Sequence, residues 1–448
     1  MSAAQSHAEP RTSLPAVSRG EWALALAGFI GLCVAVLVRA PQLLEPDDYA
    51  YRASIVALSQ GHLLLTNAQY LRLNAQLSVH GLPGIYQWVH LANGRWISQK
   101  NPGYPFFAVP FQWLHALRAA PLFYGALACG GLFYGARRWL GPWGGAYAVV
   151  LYCSAGDALI FAWRATMPTF TDASLVAAAF GLLLGVLLSR ESAPTHRLVL
   201  GVLAFLALDG ATFIRYTDIV LLAAALVSVV VLSRRSALSR TMIASWLGVV
   251  ALYAVGDVAL NHYLYGGYLS SGYGPGVVSF SASAIAPNVE RLPWPLLQGV
   301  PMIALALGAL VWIACRLVRA RDTTLASRDR TDAVVALVLA VSWGALWALY
   351  ASYTWTVGQT LGHLIAFHVV RFYMPTLGLT AILAAWLLTR VPRWVAAAAL
   401  VVVATLGVWL YVWPGSDVVV HTRPTTSTSR GPSSPSSLAR VTASRSNV

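Results

Sequence analysis

Glu21-Trp22-Ala23-Leu24-Ala25-Leu26-Ala27-Gly28-Phe29-Ile30-Gly31-Leu32-Cys33-Val34-Ala35-Val36-Leu37-Val38-Arg39-Ala40 is a run of 20 residues with charge only at its two ends. At 1.5 Å per residue such a helix is about 30 Å long, the thickness of a bilayer core. It is followed at once by Glu45-Pro46-Asp47-Asp48-Tyr49-Ala50-Tyr51, three acids within four residues at the end of a span. Working outward, the same kind of apolar run recurs along the chain of 448 residues. Hydrophobic residues make up 58% and charged residues 10%. A soluble protein needs roughly 25% charged residues, so this composition excludes a soluble, disordered or fibrous chain. The reading is an all-α polytopic membrane protein with about 11 transmembrane helices.

The spans are expected near residues 21–40, 119–138, 143–162, 172–189, 198–213, 217–233, 241–260, 296–317, 331–352, 371–390 and 393–413. The 198–213 run is short and carries Asp209. Residues 1–20 read as a polar cytoplasmic leader, 21–413 as the membrane domain, and 414–448 as a Ser/Thr/Pro-rich extracytoplasmic tail. Residues 41–104 and 261–295 do not span and form two extracytoplasmic loops. The apolar run 105–117 is too short to cross and suits a helix lying at the interface.

Net charge is +14, and arginine dominates it, since Lys100 is the one lysine among 30 basic residues. The arginines concentrate in short loops, near Arg137–Arg138, Arg190 and Arg197, Arg234–Arg240, Arg316–Arg330 and Arg390–Arg393. That asymmetry puts those loops and the N-terminus in the cytoplasm, in a cell membrane, with the long loops outside. No contiguous basic face is offered to nucleic acid. The four cysteines all lie in apolar stretches, without metal-ligand spacing, and imply no disulfide framework. No cofactor is required, and no divalent-metal cluster is evident, though an Asp pair could hold one ion with phosphate.

Pro46 and Asp47 suit a helix start; Tyr51, Ile55 and Leu58 then recur on one face, and Gly61 ends the run. Asp47 at such a start serves equally as a helix cap or as a reactive carboxylate. Lys100-Asn101-Pro102-Gly103-Tyr104-Pro105 reads as a rigid turn, with two prolines and a glycine against regular helix. Its lysine suits either interfacial snorkelling or an anionic lipid headgroup. Arg164, Asp172, Arg215, and the cluster of His363, His368 and Arg371 fall on the same side. Each alone suits a helix-end anchor. Together, several cations beside a few carboxylates suit a site for a lipid phosphate.

At these residues the chain resembles the GT-C fold glycosyltransferases, above all the branch of protein O-mannosyltransferases and aminoarabinose transferases. Asp47-Asp48-x-x-Tyr51 is similar to that branch's acidic pair and Tyr in the first outer loop. Lys100 to Tyr104 resembles its Lys-Pro-Pro-Leu-Tyr turn, with Asn101 and Gly103 departing. Thr171-Asp172, Ile214-Arg215-Tyr216-Thr217 and Arg371-Phe372-Tyr373-Met374-Pro375 resemble its later elements, Arg215 replacing a Lys. The resemblance runs from about residue 21 to 413.

It implies a sugar donor on a polyprenyl phosphate, inverting transfer to a hydroxyl of a protein, glycolipid or polysaccharide, and a site among membrane lipids. Asp47 would be the base and Asp48 its support. Tyr51, Lys100, Tyr104, Arg164, Asp172, Arg215, His368 and Arg371 would bind substrate. Two other readings compete. A transporter or flippase would show broken helices and charges at mid-membrane; Asp157 and Asp257 are the deeper acids. A scaffold would use loop 41–104 to bind a partner.

Overall fold

The computed structural model describes residues 15–40, 43, 45–78, 83–189, 193–236, 238–273, 278–319, 327–359 and 367–412. The expected tail lies outside these residues, as do most of the leader and His363. Helix α1 (Arg19–Val38) opens with a capping box in which Ser18 and Glu21 exchange side-chain-to-backbone hydrogen bonds. It leaves Trp22, Leu26, Ile30 and Val34 exposed along its length. In a bilayer those side chains meet lipid, which is why a sequence apolar on every face is stable there.

Residues 45–78 and 83–113 fold as a small layer of their own. It contains α2 (Pro46–Ser59), α3 (Asn67–Leu77), an antiparallel hairpin of β1 (Trp88–His90) and β2 (Trp96–Ser98), and α4 (Gly103–Trp113). Ala53, Ala57, Leu65, Leu73, Leu77 and Ile85 make a second core beneath it. The hairpin was not expected from the sequence. Nor was α4's start at Gly103, inside the turn read as non-helical. Pro105 falls in the first helical turn, where a missing N–H leaves no bond unmade.

The bundle follows: α5 (Ala119–Leu140), α6 (Gly144–Ser154), α7 (Gly156–Trp163), α8 (Thr169–Leu188), α9 (Pro194–Ile214), α10 (Ile219–Ser236) and α11 (Arg240–Tyr265). Then come α12 (Ile285–Arg291), α13 (Pro293–Gly299), α14 (Met302–Arg319), α15 (Ser327–Ala351), α16 (Thr354–Val357), α17 (Phe367–Val370), α18 (Leu377–Leu388) and α19 (Arg393–Val412). Helix α8 is the central one, with almost every residue buried. It meets α5 through glycine: a Cβ on Gly135 would lie 2.1 Å from the Gly181 carbonyl oxygen, and one on Gly181 2.3 Å from that of Gly131. Small residues at i and i+4 let two membrane helices approach backbone to backbone.

Among the described residues, seven helices are long and apolar enough to cross a membrane, or nine if two bent pairs each count as one span. The difference from eleven has a physical cause. The 143–162 run is broken, α6 and α7 meeting at 61°, and the 296–317 run is replaced by α13 and α14, which meet at 107°. The 217–233 and 371–390 runs are shorter apolar helices. The doubtful 198–213 run, by contrast, is the full helix α9. At the α6–α7 break α19 comes close through Gly407, whose Cβ would sit 1.8 Å from the Ser154 carbonyl oxygen.

Polar pairs gather at the two ends of the bundle. One end holds Arg137 with Glu21 at 3.0 Å and Arg390 with Asp332 at 2.5 Å. The other end lies under the loop layer and carries the cluster described next.

Candidate functional site

Helix α2 starts the site. Glu45 is its N-cap residue, and the Asp48 carboxylate accepts the Glu45 N–H at 3.0 Å. Asp48 also accepts Thr166 Oγ1 at 2.8 Å and Arg164 Nη2 at 2.5 Å. It has no exposed surface. Asp48 therefore closes the first turn and ties it to the segment after α7. Of the two roles that the sequence leaves open for Asp47, helix cap or reactive carboxylate, the cap falls to its neighbour: the carboxylate that accepts the Glu45 N–H is that of Asp48. One position along a helix turns a side chain by about 100°, so Asp47 points elsewhere.

Asp47 points at two cations. Lys100 Nζ lies 2.8 Å from Oδ1, and Arg371 Nη2 lies 3.1 Å from Oδ2. Lys100 reaches it from the turn after β2 and also donates to the Tyr273 hydroxyl at 3.1 Å. Arg371 comes from the end of α17, and its other terminal nitrogen donates to Glu45 Oε2 at 2.6 Å. Its guanidinium lies beside the rings of Phe372 and Trp355. Burial raises the Asp47 pKa, but Arg371, Lys100 and a hydrogen bond from Gln87 outweigh it and hold the carboxyl well below its usual range. Glu45 is likewise lowered, burial opposing and Arg371 and Arg164 prevailing.

The remaining expected residues divide into two groups. Arg215, at the end of α9, faces Asp172 at 3.3 Å and donates through Nη1 to the Arg371 carbonyl at 3.1 Å. It braces the backbone that presents Arg371. Arg164 meets Asp48 and, at 3.5 Å, Glu45. Tyr104 is fully buried and donates to the Ala165 carbonyl, while Tyr51 sits edge-on to its ring. His368 lies against Trp355 and acts electrostatically on Glu45. Thus Asp47, Lys100 and Arg371 form the centre, with the others around it. Sequence reasoning missed Glu45 as the second carboxylate on Arg371, and also Gln87, Thr166 and Tyr273. Glu45 was signalled by its place beside the acid pair; Gln87 had no local signal.

Two spaces adjoin the centre. A small cleft beside Lys100 is lined by Ser54, His62, Trp88, Ser98 and Tyr265 among others. Behind Arg371, a small, largely apolar crevice is lined by Leu296, Val300, Ile303, Trp347 and Tyr373 among others. Among the described residues, no group of three or more His, Cys, Asp or Glu gathers as a metal site.

No family model matches the chain, and no curated protein does. Two solved structures match it. One is ArnT from Cupriavidus metallidurans, bound to undecaprenyl phosphate, at 16% identity and a TM-score of 0.47. That match covers 85% of this chain and 61% of that one. The other is the archaeal oligosaccharyltransferase AglB from Archaeoglobus fulgidus, in complex with an inhibitory peptide and a dolichol-phosphate. It is 12% identical with a TM-score of 0.47, covering 90% of this chain and 55% of that one. The chain thus spans less than two thirds of each.

Proposed function

We propose that this chain is an inverting glycosyltransferase. It moves a sugar from a polyprenyl-phosphate carrier to an acceptor hydroxyl on the outer face of the membrane. The observation that carries this reading is the pair of cations on one carboxylate, Lys100 and Arg371 on Asp47, at the loop-covered end of a membrane bundle. A phosphate oxygen can take the place of a carboxylate oxygen on both cations. The arginine-rich loops at the other end support the outer face.

The chemistry balances with the residues present. The acceptor oxygen bonds to the anomeric carbon as the bond from that carbon to the phosphate oxygen breaks. The hydroxyl proton passes to Asp47, and the electron pair leaves on the phosphate. Lys100 and Arg371 neutralise that growing charge, and one such fixed contact is worth about 3 kcal/mol in the transition state. With both cations on its own oxygens Asp47 is a weak base. A phosphate that draws them away returns its basicity, so donor binding switches on proton abstraction. Attack opposite the leaving phosphate inverts the anomeric centre.

A flippase for lipid-linked sugars is the second reading. It is favoured by the two broken helix pairs and by Asp157, buried beside the α6–α7 break against Gly299. One experiment separates them. Purified protein is given a panel of polyprenyl-phosphate sugars and acceptors, in detergent and in sealed vesicles. The transferase reading expects one donor to be consumed in detergent, releasing polyprenyl phosphate and a product of inverted configuration. Sugar lipid that crosses the vesicle bilayer unchanged, with no donor consumed, overturns it in favour of transport.

A further inference from the structure

Gln87 stands just before β1 with φ +54, in the left-handed region, one of three such non-glycine residues described. Most side chains are disfavoured there, and such residues persist where surroundings or function hold them. Here the surroundings are the hairpin. The Gln87 carbonyl accepts the Gln99 N–H at 2.8 Å, one residue from Lys100, and the Trp88–Ser98 register follows. Its side chain lies near enough to the Asp47 carboxylate to help hold that group's pKa down. The other half of that amide, Oε1, is buried and meets no hydrogen-bond donor among the described residues. A buried acceptor left unmade is destabilising. Glycine would suit the backbone better, and asparagine nearly as well. The glutamine is therefore unexplained by the fold around it.

We infer that Gln87 Oε1 accepts a hydrogen bond from a hydroxyl of the sugar carried on the donor phosphate, which makes Gln87 a specificity-determining residue. This rests on the glycosyltransferase reading. A phosphate on Lys100 and Arg371 brings its sugar over Asp47, because the attacked carbon must lie between the base and the leaving phosphate. The amide on Asp47 then lies alongside the sugar ring. Its Oε1, which the fold leaves unpartnered, then meets a hydroxyl. A site built to bond a substrate hydroxyl discriminates strongly against ligands that lack it.

The test uses the full-length protein with farnesyl phosphate and its mannosyl, arabinosyl and glucosyl phosphodiesters as probes. Affinities are measured for wild type, Gln87→Gly and Gln87→Asn, together with thermal unfolding. Glycine relieves the left-handed strain, so the variant folds with an unfolding midpoint equal to or above wild type. The expected result is a wild-type preference of about five- to tenfold for one sugar-bearing probe over farnesyl phosphate. In Gln87→Gly that preference falls to near one, while affinity for farnesyl phosphate stays within about twofold. Gln87→Asn, too short to reach both partners, behaves like glycine. An unchanged preference in Gln87→Gly overturns the inference, as does an equal loss for all probes. A wild type that binds farnesyl phosphate without preferring any sugar overturns it and leaves the phosphate site standing. A wild type that binds none of the probes removes the glycosyltransferase reading and this inference together.

Discussion

Asp47 and Asp48 are consecutive carboxylates with opposite surroundings. Asp47 lies between Lys100 and Arg371 and keeps some exposure, whereas Asp48 is sealed against Arg164 and Thr166. The first can change partners when a ligand arrives. The second is part of the scaffold.

Substitution should separate them. Asp47→Asn is expected to fold and to bind lipid phosphate, since Asp47 does not cap α2. Losing a general base should slow transfer about 10²–10⁴-fold. Asp48→Asn should instead lose protein. It leaves the buried Arg164 guanidinium with only the longer 3.5 Å contact to Glu45 as an ion pair, and breaking a buried pair costs up to about 3–5 kcal/mol. Yield and unfolding temperature after purification check the second claim, and single-turnover transfer checks the first. A stable Asp48→Asn that turns over no donor, beside an active Asp47→Asn, would exchange the roles.

Arg371 spans two carboxylates, with one terminal nitrogen on Glu45 at 2.6 Å and the other on Asp47 at 3.1 Å. Only a planar fork can do that, so lysine is not an equivalent. Arg371→Lys should raise the donor KM by roughly 10- to 150-fold, the equivalent of about 1.5–3 kcal/mol for a charged hydrogen bond. Lys100→Arg, which keeps the charge and adds donors, should be milder. Equal donor KM values in wild type and Arg371→Lys would show that Arg371 does not touch the phosphate.

The acid behaviour follows from the same contacts. Asp47 and Glu45 have folded pKa values below their ordinary ones, because the cations outweigh burial. Each therefore adds stability that is complete above the unfolded value of about 4 and is lost as pH falls through the folded value. The unfolding midpoint should be flat with respect to these groups from pH 8 to 5 and fall below about pH 4. In the free protein kcat/KM should show no acid limb from Asp47 between about pH 5 and 8. Arg371→Gln removes a lowering charge, so its residual kcat/KM should lose activity at a higher pH than wild type does. A wild-type limb near neutrality that persists in this variant at the same pH would show that another group is the base.

These residues also mark what sequence could tell. The start of α2 was readable because Pro46 and its acids are local signals, and its end because Gly61 takes φ +84 just beyond. That Lys100, Arg215 and Arg371 share one end followed from counting spans. That Arg371 meets Asp47 while Arg215 only braces it depends on packing between helices far apart in sequence, which no local pattern records. The breaks at Ala155 and near Pro301 differ in the same way. Prolines 293, 295 and 301 signal the second, whereas the first depends on Gly407 of a distant helix. Gln87 was invisible because backbone strain is imposed by the hairpin's register and leaves no mark on Tyr86-Gln87-Trp88.

Packing at the α5–α8 crossing gives a prediction independent of the chemistry. A Cβ at Gly181 would lie 2.3 Å from the Gly131 carbonyl oxygen, and backbone cannot yield as a flexible side chain can. Gly181→Ala should therefore lower stability by about 1–3 kcal/mol, the usual range for overpacking. Gly248→Ala, where a Cβ meets nothing within 4 Å, is the control and should be neutral or slightly stabilising. Thermal unfolding in detergent compares them. A Gly181→Ala midpoint equal to the control's would mean that the two helices have room to separate.

Sidedness is the last expectation, and the whole placement of the acceptor rests on it. Helix α11 has 26 residues and rises about 39 Å, enough to carry its ends to opposite faces of a bilayer core of about 30 Å. Its far end, Tyr265, lines the cleft beside Lys100, and its first residue, Arg240, is exposed at the arginine-rich end. Arg95, exposed beside the hairpin turn, belongs to the site end. Single cysteines at Arg95 and Arg240, in a background with Cys33, Cys129, Cys153 and Cys315 all replaced by Ser, are labelled in intact cells with a membrane-impermeant maleimide. Arg95→Cys should react without permeabilisation and Arg240→Cys only after it, because arginine-rich loops are retained in the cytoplasm. The reverse pattern would turn the site inward. Asp47 would keep its cations and its chemistry, but the acceptor would then have to be a cytoplasmic hydroxyl.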